Sequence, residues 1–367
     1  MNIIINKHDL LGALQIVNGV VEKRHTLPIL TNILLAVDNG NMTITGTDME
    51  IEILSGIKVN ADSDGLFTLP ARKLLDITRL IEDGSQISLQ VETNNAYIKS
   101  GRSRFCLGSL PASEFPVINP IASTLSLKVE EGIFKGLLDK TLFAMALQDV
   151  RYYLNGMLLE IRPNLLRTVA TDGHRLALSD YTSFSIEHDA IHQVILPRKT
   201  IIELNRLLSY KTESVGIEIT SSYIRFYHSD FTLSSKIIDG RFPDYDRVIP
   251  KNSTKQVKVN RIIFKQGLQR ASILSNEKFR GIRLLFSHNQ LQLQAHNPEQ
   301  EVAEEDLDIE YPFDPISIGF NVSYMIDVLN ILDSEFVILN LSDENSSALI
   351  HSLDEESSRY VVMPMRL

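Results

Sequence analysis

The chain has 367 residues, of which 44% are hydrophobic and 22% are charged, and its formal net charge is −10. This composition is typical of a folded globular protein and excludes a disordered one. The single cysteine, Cys106, excludes a disulfide within the chain, and the apolar run at the N-terminus is too short for a signal peptide. We therefore expect a cytoplasmic protein without a membrane span.

The sequence contains three copies of one pattern. A shift of 124 positions places Leu34 on Leu158 and Thr47-Asp48 on Thr171-Asp172 without a gap, and a third copy begins at Phe264. A chain of this length is also too long for a single core. The repeat therefore predicts three domains, at residues 1–123, 124–253 and 254–367.

Each third consists of two similar halves, and each half combines one amphipathic helix with a few strands. In the first third, residues 9–17 and 71–81 have helical apolar spacing, while residues 33–37 and 42–45 predict a hairpin around Asp38-Asn39-Gly40. Further strands are predicted at residues 86–91 and 96–100, and related helices at residues 201–204 and 325–328. Pairs of such halves predict an α+β fold with two layers per domain.

Three similar domains in a row suggest an arc, and two arcs joined head to tail would close into a ring of six domains and twelve helices. Helices spaced 8–10 Å apart would leave a hole about 20–30 Å wide, enough for a nucleic-acid duplex. Basic residues recur in the helix windows of five of the six halves, which favours a shared basic face, although the protein as a whole is acidic. The acids are concentrated elsewhere, above all between Glu299 and Asp314.

The densest group of functional-looking residues is Asp172, His174 and Arg175 in the middle copy. One reading is a hydrolytic enzyme that uses them as a general acid and base. However, Thr47-Asp48 repeats the Thr-Asp pair without the histidine, and no nucleophile, metal-ligand spacing or phosphate loop accompanies it. A structural turn, in which the Asp side chain binds backbone N–H groups, explains the repetition better. A peptide-binding adaptor that never touches DNA is a third reading.

Along its whole length the chain resembles the bacterial DNA polymerase III beta subunit family, the replicative sliding clamps. The matching stretches are residues 26–30, 101–105, 148–157, 170–176, 239–245, 274–281 and 360–367. The resemblance implies three DNA-clamp domains per chain and a six-domain ring formed by a head-to-tail homodimer. It implies a processivity factor, not an enzyme, which encircles double-stranded DNA without sequence preference and needs no cofactor or metal. Its implied partners are the replicative polymerase catalytic subunit, the clamp-loader ATPase, and other polymerases and repair proteins that bind through short linear motifs.

The resemblance also implies three sets of site residues. Those expected to contact DNA are Arg24, Arg72, Gln148, Tyr152, Tyr153, Arg198 and Lys199. Those expected to line a client-peptide groove between the central and C-terminal domains are Leu154, Thr171, Gly173, His174, Arg175, Leu176, Pro243, Arg247, Val248, Val361, Val362, Met363, Pro364, Met365 and Arg366. Those expected at the subunit interface are Arg102, Arg104, Phe105, Leu107, Ile273, Leu274, Glu299, Glu301, Glu304 and Glu305. The chain departs from the family at Leu147, where a His is expected, and at Asp246, where an Arg is expected.

Overall fold

A computed structural model describes residues 1–22, 26–118, 123–186, 190–251 and 253–367. Within these ranges the fold is α+β. The α-helices have 10 or 11 residues each and are Lys7–Val17 (α1), Ala71–Leu80 (α2), Glu131–Thr141 (α3), Arg198–Leu207 (α4), Arg261–Ala271 (α5) and Val322–Ile331 (α6). The structure confirms one helix in each half of the repeat. Helix α1 begins at Lys7, two residues before the start of the apolar periodicity.

The strands follow the same order in each third, except that the first third has an additional two-residue strand, β5. In the first third they are Asn2–Asn6 (β1), Asn32–Asp38 (β2), Asn41–Thr47 (β3), Ile51–Lys58 (β4), Asn60–Ala61 (β5), Gly65–Pro70 (β6), Gln86–Val91 (β7), Asn95–Ser100 (β8) and Ser103–Gly108 (β9). In the central third they are Leu125–Glu130 (β10), Gly156–Arg162 (β11), Leu165–Thr171 (β12), Arg175–Tyr181 (β13), His192–Pro197 (β14), Ser214–Ile219 (β15), Tyr223–Tyr227 (β16) and Thr232–Lys236 (β17). In the last third they are Lys255–Asn260 (β18), Gly281–Ser287 (β19), Gln290–His296 (β20), Val302–Asp308 (β21), Ile316–Asn321 (β22), Phe336–Leu341 (β23), Ala348–Ser352 (β24) and Ser358–Val362 (β25).

These strands form four antiparallel sheets. Their orders are β5-β1-β7-β8-β9, β10-β15-β16-β17-β4-β3-β2-β6, β14-β11-β12-β13-β25-β24-β23-β18 and β21-β20-β19-β22. The predicted hairpin is present as β2 and β3, and its turn residues Asn39 and Gly40 have φ of 48° and 76°. Positive φ at both central positions matches the twist of the flanking strands, which explains the choice of Asn-Gly there.

The internal repeat is preserved in the strand registers. The same pairing recurs with a shift of 124 and then 125 positions, as Leu34↔Thr45, Leu158↔Val169 and Arg283↔Gln294. A one-residue slip would exchange the two faces of a strand. The constant register therefore places equivalent side chains on equivalent faces in all three copies.

Two pairings join strands from different thirds of the chain. Strand β4 pairs with β17, which we call the first seam, and β13 pairs with β25, which we call the second seam. Each seam turns two four-stranded sheets into one eight-stranded sheet. Sequence periodicity cannot reveal such pairings, because the paired strands lie more than 170 residues apart.

The chain divides into two compact units. The first contains residues Met1–Gly132 and Ile202–Ile237, and the second contains Ile133–Ile201 and Ile238–Leu367. The first seam lies within the first unit and the second seam within the second unit. In the first unit, α1 lies close to the sheet: a Cβ on Gly46 would come within 2.6 Å of a methyl group of Val17. Among the described helices, none is long and apolar enough to cross a membrane.

Candidate functional site

The Thr-Asp pair of the middle copy is a structural turn, as its repetition predicted. The Asp172 carboxylate accepts hydrogen bonds from the backbone N–H groups of His174 and Arg175, at 2.9 and 3.0 Å. In the first copy, Asp48 accepts from Glu50 and Ile51 in the same way, at 2.9 and 2.8 Å. The carboxylate of Asp172 is thus committed to holding the backbone, which leaves no role for it as a general base.

Arg175 is enclosed by its own chain. Its guanidinium donates to Asp172 at 3.1 Å, to Asp327 at 2.5 Å and to the carbonyl of Phe143 at 2.9 Å. It also lies 4.5 Å from the ring centre of Tyr324 and 5.1 Å from that of Phe143. With 12% of its side chain exposed, Arg175 connects the turn after β12 to helix α6.

The loop between α3 and β11 is held by a compact set of hydrogen bonds. Asn155 accepts from the backbone N–H of Asp149 and donates to its carbonyl, both at 2.8 Å. Arg151 binds both oxygens of the Asp149 carboxylate, at 3.0 and 2.8 Å, and this contact lowers the pKa of Asp149 to about 2. Arg151 also donates to the carbonyl of Asp172 at 3.3 Å. The loop that presents Gln148 is therefore tied to the Asp172 turn.

The two tyrosines of this loop differ in their surroundings. Tyr152 is 58% exposed, whereas Tyr153 is half-buried and packs against an apolar cluster in the second unit. Their rings meet edge to face at 5.8 Å. Leu147 and Val150 in the same loop are 76% and 95% exposed. Tyr152 is thus open to solvent, while Tyr153 links it to the apolar cluster.

That apolar cluster, which we call the seam cluster, includes three predicted groove residues. Leu176 of β13 and Val361 of β25 face each other in the second seam, and Val248, in the linker between β17 and β18, packs against the cluster. Leu176 and Val361 are 3% and 1% exposed. The buried members of the cluster are Leu158, Val169, Leu176, Leu178, Ile195, Phe242, Tyr245 and Val361. The second seam is therefore backed by a continuous apolar cluster, which includes predicted groove residues.

The C-terminal residues are held in place as well. The N–H of Met363 donates to the carbonyl of His174 at 2.9 Å, and that of Met365 donates to Gly319 at 2.7 Å. Val362 pairs with Arg175 and is fully buried. Because neighbouring residues of a strand point to opposite faces, Val362 lies on the other face of the sheet from Val361. It supports the groove floor from behind and does not line it.

The remaining predicted groove residues do not all lie together. Leu154 and Thr171 are buried, at 2% and 9% exposure, while His174, Pro243 and Arg247 are exposed. Pro364 and Gly173 are half-buried. Met365 and Arg366 line a separate cavity of about 400 Å³, whose other walls include Phe279, His296 and Pro298. The end of the tail thus borders a second recess beyond the seam cluster.

The predicted DNA contacts lie on helix starts and on the loop described above. Arg72 is exposed in the first turn of α2, and Arg198 and Lys199 open α4. Arg198 donates to the carbonyl of Met145 at 3.2 Å, close to the loop that carries Gln148. Arg24 lies outside the described residues.

Other basic helix residues have structural partners. Lys7 is buried against Asp83 at 2.5 Å, Arg206 donates to the carbonyls at the end of α1, and Arg261 donates to Leu329 and Ser334. The expected basic face is therefore narrower than the sequence suggested.

The residues predicted for the subunit interface lie at sheet edges and in nearby loops. Strand β9, with Arg104, Phe105 and Leu107, ends one sheet, and β21 ends another. Phe105 and Ile273 are 38% and 77% exposed, whereas Leu107 is buried. Leu274, Glu299 and Glu301 line a recess next to Ile273. Arg102 is exposed in the turn before β9.

Arg270 of the same chain already holds one of the predicted interface acids, Glu305, at 2.7 and 2.8 Å. This contact lowers the pKa of Glu305. Glu304 is exposed and accepts from Gln294 at 2.8 Å.

Sequence reasoning missed the residues that support the site from beneath. Beside the seam cluster, the hydroxyl of Tyr245 accepts a hydrogen bond from Arg167 and donates one to Glu160. Tyr245 closes one of the stretches that carry the family resemblance, which was the only available signal for it. Within the described ranges, no group of His, Cys, Asp or Glu side chains is suited to hold a metal ion.

The fold and the site define a repeat protein of the clamp class, in which a turn that resembles an active site serves as scaffold. Three family models match it in sequence: the N-terminal domain of the DNA polymerase III beta subunit at residues 1–119, its central domain at 128–244 and its C-terminal domain at 246–366. The chain belongs to the DNA polymerase III beta subunit family.

Curated relatives and solved structures agree with the family models. The chain is 48% identical to the beta sliding clamp of Pseudomonas aeruginosa and 47% identical to that of Escherichia coli, each over 100% of both chains. A crystal structure of the Pseudomonas aeruginosa subunit matches with a TM-score of 0.97 at 48% identity over 100% of both chains. A Bartonella birtlesii clamp bound to griselimycin matches with a TM-score of 0.96 at 37% identity, again over 100% of both chains.

This membership establishes the function at the level of the family. The chain is a DNA sliding clamp that serves processivity in replication, and it is a processivity factor and not an enzyme. The hydrolase reading of Asp172 and His174 is thereby set aside.

Proposed function

We propose that the chain forms a head-to-tail homodimeric ring around double-stranded DNA and tethers polymerases through a peptide groove at the second seam. The ring would contain six domains, with the limits 1–123, 124–253 and 254–367 in each chain. The observation that carries the ring is the pair of unused sheet edges, β9 and β21. Each is the repeat equivalent of a strand that forms a seam elsewhere in the chain.

Strand β9 is the counterpart of β17 and β25. In the three copies, the edge strand pairs with its inner neighbour in one register, as Ile98↔Phe105, Phe226↔Leu233 and Ile350↔Tyr360. Strands β17 and β25 both continue into a seam. Phe105 therefore occupies the place that Leu233 and Tyr360 occupy at the two seams.

Strand β21 is in turn the counterpart of β4 and β13. The pairing with its neighbour also repeats, as Thr47↔Glu52, Thr171↔Leu176 and His296↔Val302. Ala303 therefore corresponds to Ile53 and Ala177, which face Leu233 and Tyr360. Transferring that register to the free edges places Phe105 opposite Ala303 of the partner subunit, Arg104 opposite Glu304 and Cys106 opposite Val302.

This register supports the interface on two grounds. It places Arg104 opposite Glu304, which has no cation among its contacts in the described chain, while Glu305 remains paired with Arg270. It also has a counterpart within the chain: at the second seam, Tyr360 packs on Phe143 with ring centres 5.9 Å apart. The equivalent pair across the subunits is Phe105 and Ile273, which are both exposed here. Opposite charges and apolar contacts at one edge favour a specific dimer.

A disulfide across the interface tests both the ring and its register. Residues directly opposite in an antiparallel pair lie about 4.5–5.5 Å apart at Cα, within the range of a disulfide. Val302→Cys should therefore form a covalent dimer with native Cys106 under mild oxidation. Ala303→Cys is the matched control, because its side chain points to the other face. A monomeric native mass, or equal cross-linking by both variants, would contradict the proposal.

We propose that DNA contacts come from Arg24, Arg72, Arg198 and Lys199 with Gln148, Tyr152 and Tyr153. A sliding protein benefits from contacts to phosphates, which carry no sequence information. A closed ring should remain on circular DNA in moderate salt and leave once the circle is cut. Retention that is unaffected by cutting would exclude encirclement. Replacing Arg72 and Arg198 with Glu should weaken loading without changing the dimer, whereas an adaptor that never touches DNA would be indifferent.

We propose that client peptides lie across the seam cluster. Its apolar floor suits the apolar anchors of an extended peptide, and Met363 and Met365 at its border can adapt to different partners. His174, Pro243 and Arg247 are exposed, and we propose that they form the rim of this groove beside Leu176 and Val361. Related clamps were crystallised with griselimycin, and we propose that this chain binds griselimycin across the seam cluster. Griselimycin binding that is unaffected by substitutions at Leu176 would contradict the location of the groove at the seam cluster.

The partners follow from this arrangement. We propose that the replicative polymerase catalytic subunit, the clamp-loader ATPase, other polymerases and repair proteins dock through short linear motifs in this groove, in the cytoplasm. Asp246, beside Arg247 on the rim, reduces the positive charge that a client would meet there.

A further inference from the structure

A row of polar side chains crosses the sheet of the second unit beside the seam cluster. Glu160 of β11 lies directly opposite Gln193 of β14 and Arg167 of β12, and Arg167 lies opposite Asp180 of β13. Residues that are directly opposite in antiparallel strands share a face. These four side chains, which we call the polar row, therefore form one continuous line across four strands.

Every member of the polar row has a hydrogen-bond partner. Glu160 is fully buried and accepts from Gln193 and from Arg162, the latter at 2.7 Å. Arg167 binds both oxygens of Asp180, at 2.5 and 2.8 Å. Asp180 also accepts from Arg359 of β25 at 2.9 Å, which extends the row across the second seam. Paired charges of this kind hold a fixed geometry, because separating them would leave a buried charge without a partner.

Tyr245 joins the polar row to the seam cluster. Its ring packs in the cluster, while its hydroxyl donates to Glu160 at 3.1 Å and accepts from Arg167 at 3.1 Å. The residue is 5% exposed, and burial raises the pKa of its hydroxyl, which therefore keeps its proton. One side chain thus has an apolar anchor and a polar anchor at neighbouring positions on the sheet.

The backbone around Tyr245 is held mainly by side chains. It forms a single 3-10 turn, Tyr245–Arg247, whose backbone hydrogen bonds are local, from Arg247 to Asp244 and from Val248 to Tyr245. Phe242 and Val248 pack on the seam cluster at its two ends. Arg247 is 84% exposed along its side chain and pairs with Asp244 at 2.7 Å. The turn that carries these rim residues therefore depends on Tyr245 for its orientation.

We propose that Tyr245 and the polar row are positioning residues of the client-peptide groove, which fix the wall formed by Pro243, Arg247 and Val248 above Leu176 and Val361. This inference rests on the groove proposed above. Tyr245 acts from beneath the wall, through Glu160 and Arg167, and does not itself contact the peptide. Removing its hydroxyl would leave the ring in the cluster and loosen the wall, so a bound peptide would lose a preorganised surface.

The test is Tyr245→Phe in the full-length protein, with griselimycin as the probe. A lost hydrogen bond to charged groups should weaken binding by about tenfold. Amide hydrogen exchange in residues 244–248 should become faster in the free protein. The same substitution in a Glu160→Gln background should add less than in the wild type, because the hydroxyl acts through Glu160.

Tyr311→Phe is the matched control. Tyr311 is fully buried and its hydroxyl donates to the carbonyl of Asp314 at 2.8 Å, in a contact with Phe286 and Phe313 outside the seam cluster. It should leave griselimycin affinity unchanged. Wild-type affinity in Tyr245→Phe, or an equal loss in both variants, would overturn the positioning role alone. Failure of the wild-type protein to bind griselimycin, or full binding by Leu176→Glu, would overturn the groove and this inference together.

Discussion

The first and second seams begin with the same turn and then diverge. Thr47 and Thr171 donate to the carbonyl four residues on, at 2.8 and 2.6 Å, and both turns have a residue with positive φ two positions later. That residue is Met49 at 76° in the first copy and Gly173 at 88° in the middle copy. The scaffold of the turn is therefore shared, and the difference between the seams lies in the side chains that follow it.

The two seams differ most clearly in the residue at their centre, which is Glu52 in the first seam and Leu176 in the second. At the first seam, Glu52 faces Ser234. Its carboxylate accepts a hydrogen bond at 3.0 Å from the N–H of Ile118, in the linker between β9 and β10. At the equivalent position of the second seam, Leu176 faces Val361 within the seam cluster. Glu52 is only 5% exposed, so an apolar ligand at the first seam would meet a buried carboxylate. The first seam thus carries a carboxylate bonded to its linker, while the second is apolar at the equivalent position.

The largest effect is expected when Leu176 of the second seam is replaced by Glu, the residue at the equivalent position of the first seam. Leu176→Glu places a carboxylate, without the Ile118 partner that Glu52 has, into a position that is 3% exposed. We expect griselimycin affinity to fall by at least about 100-fold, or 2.7 kcal/mol, because the apolar floor becomes charged. Binding titrations on the dimeric protein would measure this.

The reciprocal change provides the control. Glu52→Leu alters the first seam only, so it should leave griselimycin affinity at the wild-type value and add no second binding site, since Ser234 still faces this position where the second seam has Val361. A second stoichiometric griselimycin site in Glu52→Leu would show that Glu52 alone prevents binding at the first seam. Unchanged griselimycin binding by Leu176→Glu would contradict the proposed difference between the two seams.

An intermediate effect is expected at the preceding position, where Ile51 of the first turn corresponds to Arg175. Arg175→Ile leaves the carboxylates of Asp172 and Asp327 without their shared cation and removes the stacking on Tyr324. We expect a loss of about 2–3 kcal/mol in stability, visible as a thermal midpoint lowered by several degrees. The free energy of unfolding should change more than the affinity for griselimycin, since Arg175 is enclosed.

Arg247→Ala is the matched arginine variant. Arg247 is on the exposed rim and pairs only with the neighbouring Asp244 among its described contacts. An exposed ion pair contributes about 0–1 kcal/mol to stability, so the thermal midpoint should barely move. The affinity of the groove for griselimycin should change. Similar midpoints for the two variants would mean that Arg175 does not hold the turn to α6.

The difference between the seams also explains what the sequence could predict. The hairpin at β2 and β3, the helices and the repeat depend on local periodicity, which is visible in any short window. The turn at Asp172 was predictable because the same residues recur at Asp48. These features are set by neighbours along the chain.

The seams themselves depend on contacts between distant residues. Nothing in the pattern of β4 indicates that it pairs with β17, about 180 residues later, and long-range pairings of this kind are decided by the whole core. Arg175 was predicted as a groove residue from the family resemblance, and its contact with Asp327, 152 residues away in helix α6, could not be read from the local pattern. Tyr245 was missed for the same reason, since Glu160 and Arg167 lie far from it in sequence.

The smallest expected effect is a pH dependence that belongs to the first seam alone. Burial raises the pKa of Glu52 above its ordinary value, despite the hydrogen bond from Ile118 and the nearby charge of Arg225. The folded state therefore favours the protonated acid, so this contribution to stability is fully present below the unfolded pKa of about 4.3 and is lost as pH rises through the folded pKa. Glu52→Gln keeps an acceptor for Ile118 without the titration. Its thermal midpoint relative to wild type should rise from pH 4 upward and then level off. A difference that stays constant with pH would mean that the linker and Arg225 fully offset the burial of this carboxylate.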